Sequence, residues 1–276
     1  MQFHQLCSPF LKSYVLDKFG LVSLTETKAT CENCLCSKPN RGTLPFYQKD
    51  LKCCTFHPFL PNYAVGALLD NSHPPTNIKA ILHSKINSCE YALPLGIFAP
   101  LNYQIQFNNR NENDFGNKLD FLCPYFDDKN KNCGIWLHRG SICTSYYCIS
   151  DHGESGLKQW ELIGEYLHLC EMVLSQDALV SMGLPPEMIE HQLEYINCSS
   201  GTEEETNSSS MNKALFNEYW KDWLDHDSIS NFYISSSKYI STLTVEQLNL
   251  LLQEETQHLE HELKSSFIQS DMLGPA

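Results

Sequence analysis

Nine of the thirteen cysteines in this 276-residue chain fall into two tight groups. Cys31, Cys34, Cys36, Cys53 and Cys54 make the first, and Cys123, Cys133, Cys143 and Cys148 follow about seventy residues later. A thiolate is a soft ligand that favours zinc, copper(I) or iron–sulfur clusters. Short spacings such as Cys31-x2-Cys34 let one loop present two sulfurs to one centre. The pattern therefore points to metal ligation, either one or two zinc ions or an iron–sulfur cluster. The sulfurs outnumber those of a single zinc site, and the vicinal Cys53 and Cys54 suit a multinuclear centre or two neighbouring sites. Both features favour the cluster over zinc. A free cysteine is also an ordinary small buried hydrophobe. That reading fits the scattered Cys7, Cys89, Cys170 and Cys198, but not nine cysteines at paired spacings beside Lys, Asp and Asn.

Other residues near the groups have chemistry to offer. His57, in CCTFHP, and His138 stand close enough in sequence to serve as ligands or as hydrogen-bonding neighbours of ligands, and Arg139 can offset thiolate charge. Cys31-Glu32-Asn33-Cys34 is formally a thiol-exchange motif. Such a site lies between a strand and a helix of an alternating α/β chain, and nothing here alternates in that way. The Cys-x3-Cys-x2-Cys spacing of radical-SAM enzymes is absent. Glu165 with His168 and Glu255 with His258 have the spacing of di-iron helices. At about 100° per residue, however, Glu165 falls opposite the apolar stripe of its helix and His258 falls well off its own, so both pairs are predicted to be solvated. Residues 155–174 hold no Ser-His-Asp arrangement, and no Gly-rich phosphate loop occurs. No catalytic residue is assigned.

The elements that must position these groups are mostly helical. At 42% hydrophobic residues the chain can build a real core. Trp160, Ile163, Leu167, Cys170 and Leu174 step by three and four, which predicts a helix and explains Cys170 without a metal. Pro61-Asn62 opens a short helix through Leu69, and Pro185-Pro186 ends one helical region and starts another through about Ile196. Residues 71–91 are polar and Pro-broken. The alternation of Tyr103, Ile105 and Phe107 predicts a strand, and Asp120–Phe126 is expected to pair with the segment around Trp136 across the turn DDKNKN. Residues 198–212, CSSGTEEETNSSSMN, read as an acidic linker. Beyond it, Phe216, Tyr219, Trp220 and Trp223 keep helical spacing. Thr244 with Gln247 forms a capping box ahead of Leu248, Leu252, Leu259, Leu263 and Phe267. This C-terminal part would pack on the main body or present a partner surface.

The second group, CPYFDDKNKNCGIWLHRGSICTSYYC, is spaced Cys-x9-Cys-x9-Cys-x4-Cys. It resembles the YkgJ-type cysteine-cluster family of zinc- or iron-chelating proteins. The resemblance is carried by Cys123, Asp127, Asp128, Cys133, Ile135, Trp136, His138, Arg139, Cys143 and Cys148. Cys31, Cys34, Cys36, Cys53 and Cys54 match the other half of the pattern, so the resemblance spans roughly residues 28–150. Where that family has Arg-Pro and Cys-Arg-x-Phe, this chain has Arg139-Gly140 and Cys143-Thr144-Ser145-Tyr146. It thereby lacks one positive charge near the last two sulfurs. The resemblance implies a bound metal centre.

In a reducing cytosol clustered cysteines stay as thiols, so ligation outweighs disulfide formation. The first twenty residues lack a basic start followed by an apolar run, and no stretch of 18 apolar residues occurs. A cytoplasmic protein without a membrane partner is expected. With 33 acidic against 19 basic side chains, the net charge of −14 repels phosphate backbones and argues against nucleic acid, while a protein partner stays open. The expected fold is mainly α with a small β-hairpin and irregular cysteine-rich loops around a metal centre. Residues 1–197 are expected to form the metal-binding domain and its following helices, 198–212 the linker, and 213–276 a helical extension. The expected function is metal binding without evident classical catalysis. The alternative is an oxidoreductase or modifying enzyme that uses the centre, or a thiol-redox protein.

Overall fold

The computed structural model describes residues 2–24, 26–28, 34–40, 42–71, 77–197, 207–221, 223 and 226–273. Cys31, Cys198 and residues 199–206 of the expected linker lie outside them. The chain is 58% helix and 5% strand, so helix packing rather than sheet pairing makes its core. Among the described residues, no helix is long and apolar enough to cross a membrane.

Two short helices, α1 (Phe3–Leu6) and α2 (Lys12–Phe19), lead into the first cysteine loops. The chain then enters β1 (Leu60–Pro61) and α3 (Asn62–Asp70), a helix buried on most of its surface. Helix α4 (Ile78–Asn87) comes next, followed by β2 (Ala92–Leu93) and β3 (Gly96–Ile97). The three strands form an antiparallel sheet in the order β1-β3-β2, with Leu60 opposite Ile97 and Leu93 opposite Gly96. Helix α4 corrects the expectation of a polar, broken segment over 71–91: Ile78, Leu82 and Ile86 recur every four residues and are all buried. Helix α5 (Leu101–Asn108) corrects the expected strand. Pro100 caps it, and Tyr103 stacks on Phe107 one turn later with ring centroids 5.6 Å apart, so two of the three alternating residues are helical i,i+4 neighbours.

The expected hairpin forms, but it is shorter than anticipated: β4 (Phe126–Asp127) pairs with β5 (Asn132–Cys133). Asp127 holds the turn by accepting from the backbone N–H groups of Lys129 and Asn130. Leu119–Phe121 and Trp136–His138 wind into 3-10 turns instead of extending the strands. Helix α6 (Ser141–Ser145) then leads to α7 (Gly153–Ser181), whose stripe from Trp160 to Leu174 is buried as its periodicity predicts. Glu165, His168, Glu255 and His258 are exposed, in keeping with their predicted solvation.

After α8 (Pro186–Asn197), the C-terminal helices α9 (Lys213–Tyr219), α10 (His226–Thr242) and α11 (Val245–Leu273) pack back on the body. The indole N–H of Trp220 donates to the Ala92 carbonyl, and the Tyr233 hydroxyl to that of Leu93. Gly66 lets α3 and α10 approach backbone to backbone, since a Cβ there would stand 1.8 Å from the Tyr233 carbonyl oxygen. The capping box closes as expected: Thr244 accepts from the Gln247 N–H and Gln247 from the Thr244 N–H. The far end of the expected linker is ordered into the fold, because Met211 is buried, its N–H donates to the Cys89 carbonyl, and Asn212 caps α9.

Candidate metal centre

The loops that carry the cysteines are tied to one another before any thiol is considered. On one side, Glu26 accepts from the Ser150 hydroxyl, the Asp151 N–H and the Trp160 indole, and Asp151 accepts from the Thr27 N–H and hydroxyl. These bonds hold Glu26 and Thr27 beside the exit from Cys148. On the other side, the Cys123 N–H donates to the Cys54 carbonyl, and the Thr55 hydroxyl accepts from the Gly116 N–H. The hydroxyls of Tyr47 and Tyr146 share a 2.7 Å hydrogen bond. Gly116, at φ 77°, leaves room for Tyr47, whose ring would lie 2.2 Å from a Cβ at that position.

These ties bring the described thiols into two neighbouring groups. Cys36 and Cys148 are hydrogen-bonded to each other, and Cys34 and Cys53 lie within electrostatic range of both. Cys53 is also hydrogen-bonded to Cys54. The second group comprises Cys123, Cys133 and Cys143: Cys123 feels the charge of the other two, and Cys143 that of Cys133. Cys53 reaches across to Cys143 and links the two groups. Among the described residues, no group of three or more Cys, His, Asp or Glu side chains is placed to hold a metal ion. None of the eleven described cysteines is in a disulfide.

Burial keeps these thiols protonated. Burial pushes the Cys36 and Cys143 thiols up to about 12, and the hydrogen bond to Cys148 also raises Cys36. Burial raises Cys123 as well, while the Tyr125 backbone N–H donates to its sulfur and opposes that shift. Cys53 is raised first by its bond to Cys54 and then by burial. Any metal entering here must displace protons, so its affinity depends on pH. Arg139 lies near both Cys53 and Cys143, where its charge favours the thiolates, and its guanidinium stacks 3.7 Å from the centre of the Trp136 ring. The charge is unevenly divided along the chain. Residues 28–150 carry 12 Lys and Arg against 9 Asp and Glu, whereas the remainder carries 7 against 24, so the thiols occupy the part of the chain that is not acidic.

Three buried groups beside the cysteines were not singled out, or not resolved, by the sequence. Lys85 is 3% exposed and bonded to Glu90, and its ammonium also faces Cys123. Glu171, on α7, accepts from the Ser141 N–H at the start of α6, two residues before Cys143. Burial lifts its carboxyl to about 7. His57 is 5% exposed, and its Nε2 has no hydrogen-bond partner. Burial, and then the Lys85 charge, hold its imidazole neutral. An unsatisfied buried polar atom of this kind costs about 1–3 kcal/mol. His138 is only half-buried; its Nδ1 is likewise unpartnered, and its ring packs near Phe10. Outside the groups, Cys7 and Cys170 are buried in the helical core, with Cys170 fully enclosed.

The chain matches no family model, no curated protein and no solved structure.

Proposed function

We propose that this chain is a metal-binding protein that holds zinc or an iron–sulfur cluster through its two cysteine groups, without a catalytic triad or phosphate site. One observation carries the reading: Cys36 and Cys148, 112 residues apart in the chain, are hydrogen-bonded to each other, and Cys53 lies within electrostatic range of Cys143. Scattered buried thiols have no reason to assemble across such separations, whereas ligands of a shared centre must. The resemblance of residues 28–150 to the YkgJ-type family supports the same reading. Arg139 and Lys85 supply positive charge beside several thiolates, as a dianionic or trianionic ligand set requires.

The test is anaerobic purification followed by absorbance, metal and acid-labile sulfide analysis. A brown protein with sulfide identifies an iron–sulfur cluster, and a colourless one with stoichiometric zinc identifies a zinc protein. Cys143→Ser and Cys148→Ser should each lower the metal content, whereas Cys170→Ser should leave it unchanged. Wild-type chain that is folded and takes up neither zinc nor iron would end the reading. The contact between Cys36 and Cys148 also favours a second reading, thiol-redox chemistry, in which mild oxidant joins that pair as a disulfide detectable by mass spectrometry.

A further inference from the structure

In the helical body, an open cleft of about 680 Å³ lies among α2, α3, α10 and the start of α11. None of the clustered cysteines lines it, and its volume falls in the range of small-molecule sites, about 300–1,000 Å³. We propose that this cleft binds a primary organic amine as its ammonium ion, with the charged end at Asp70 and an apolar body against Phe10, Leu243 and Leu248.

The direction of two helices makes the cleft negative. Gly66 of α3 lies against Tyr233 and Ser237 of α10, and further along both helices Ala67 and Asp70 line the same cleft as Ile240 and Ser241. Helices α3 and α10 therefore run parallel, and their C-terminal ends meet at the cleft. Each such end carries about half an elementary negative charge on its last carbonyl groups, so two side by side repel and favour a cation between them. Asp70, the last residue of α3, is exposed and adds a full carboxylate charge. Among the described residues that line the cleft, none is Lys, Arg or His.

Helix α11 brings its positive N-terminal end to the same place at Val245, but that end is already answered from within. The Thr244 hydroxyl accepts from the Gln247 N–H, and the Thr244 carbonyl from the Leu248 N–H. The Glu246 carboxylate bonds its own backbone N–H and the Thr244 side chain, so its charge sits directly on the first turn.

The remaining potential selects a cation, and the walls select an organic one. An inorganic ion is held by oxygen ligands on all sides. Here Phe10, Leu243 and Leu248 supply apolar surface opposite the carboxylate and the helix ends. Phe10 is fixed in place by an edge-to-face contact with Tyr63, ring centroids 4.9 Å apart. A primary ammonium donates its hydrogens to acceptors on one side and leaves its carbon body to pack on the other.

Binding of 2-phenylethylamine to the full chain, followed by NMR titration, tests the assignment. Its neutral and anionic counterparts, 2-phenylethanol and 3-phenylpropionate, have similar shapes. The amine should bind about tenfold more tightly than the alcohol, and the carboxylate should not bind. Added sodium chloride should weaken the amine and leave the alcohol unchanged. Asp70→Asn should weaken the amine about three- to fivefold without affecting the alcohol. A measurement on the unmutated chain does not depend on how that variant folds: the ring protons of bound 2-phenylethylamine should show nuclear Overhauser contacts to Phe10 and Leu248. Equal affinity for amine and alcohol, or contacts elsewhere on the surface, would overturn the assignment. So would the absence of saturable binding by 2-phenylethylamine, cyclohexylmethylamine and 1,5-diaminopentane alike. None of these outcomes bears on the metal-thiolate reading, because no proposed metal ligand lines the cleft.

Discussion

Trp220 in the helical body and Cys36 in the cysteine loops are both 0% exposed, but for different physical reasons. Trp220 sits in a continuous core with Phe232, Tyr233 and the sheet, and its one polar atom is paired. Cys36, Tyr47, Leu51 and Phe121 are buried outside that core, in loops where only two-residue strands, 3-10 turns and the short α5 and α6 give regular structure. Apolar area stabilises the body at about 25 cal/mol per Å². The loops have their own, separate aromatic cluster, in which Phe107 packs on Phe115 and Phe121, together with hydrogen bonds such as Tyr47–Tyr146 and, on the proposed reading, metal. The boundary between the two regions does not follow the chain. Residues 60–71 and 77–98 belong to the body although cysteine loops flank them on both sides.

Chelation is the strongest way to break this comparison. Zinc is worth on the order of 10–16 kcal/mol in small metal-dependent folds, so removing the metal should abolish amide protection over 34–57 and 110–148. Protection in α3, α7 and α10 should persist, as measured by hydrogen exchange. Loss of protection throughout the chain would merge the two regions into one. The reverse perturbation is Leu174→Ala, which empties a fully buried site on α7 and should cost about 2–5 kcal/mol in denaturant unfolding. Metal content per folded molecule should stay unchanged. Gly66→Ala should cost about 3 kcal/mol by forcing α3 from α10.

Glu171 sharpens the seam between the regions. Its folded-state carboxyl, raised to about 7, holds a proton more tightly than the unfolded chain does. Its contribution is therefore fully present below about pH 4.3 and is lost as pH rises through about 7. Between pH 4.5 and 7.5, at matched metal content, wild type should lose about 2–3 kcal/mol relative to Glu171→Gln. Parallel stability–pH curves would show that Glu171 is no more perturbed than a surface acid. Smallest is Thr244→Ala, which removes the cap of α11 and should cost about 1 kcal/mol, with no effect on metal.

The body was largely legible in the sequence because its helices carry their signals locally. The Trp160–Leu174 stripe, the Pro186 start and the Thr244–Gln247 box each specify a helix without reference to anything distant. Helix α5 is not legible from its residues because alternation and i,i+4 spacing overlap in Tyr103, Ile105 and Phe107, and the helix has no fully buried residue whose stripe would decide between them. Helix α4 was hidden by the polar residues around Ile78, Leu82 and Ile86. Of the cysteine region, the two groups and their residue types were legible, and so was the enclosure of Cys170. The division of the thiols into two sets, the isolation of the His57 Nε2 and the Lys85–Glu90 pair were not, since each depends on contacts between segments remote in sequence.

The hydrogen bond between Cys36 and Cys148 also sets a schedule. A ribosome adds about 5–20 residues per second, so Cys36 leaves the exit tunnel roughly 5–20 s before its partner. Through that interval the first thiols are without the hydroxyl pair and the carboxylate anchors that later shelter them. On the proposed reading, an ion offered to the nascent chain meets half a ligand set. Productive loading therefore follows translation of Tyr146 and Cys148, and a chain stalled before that point leaves its early cysteines open to oxidation.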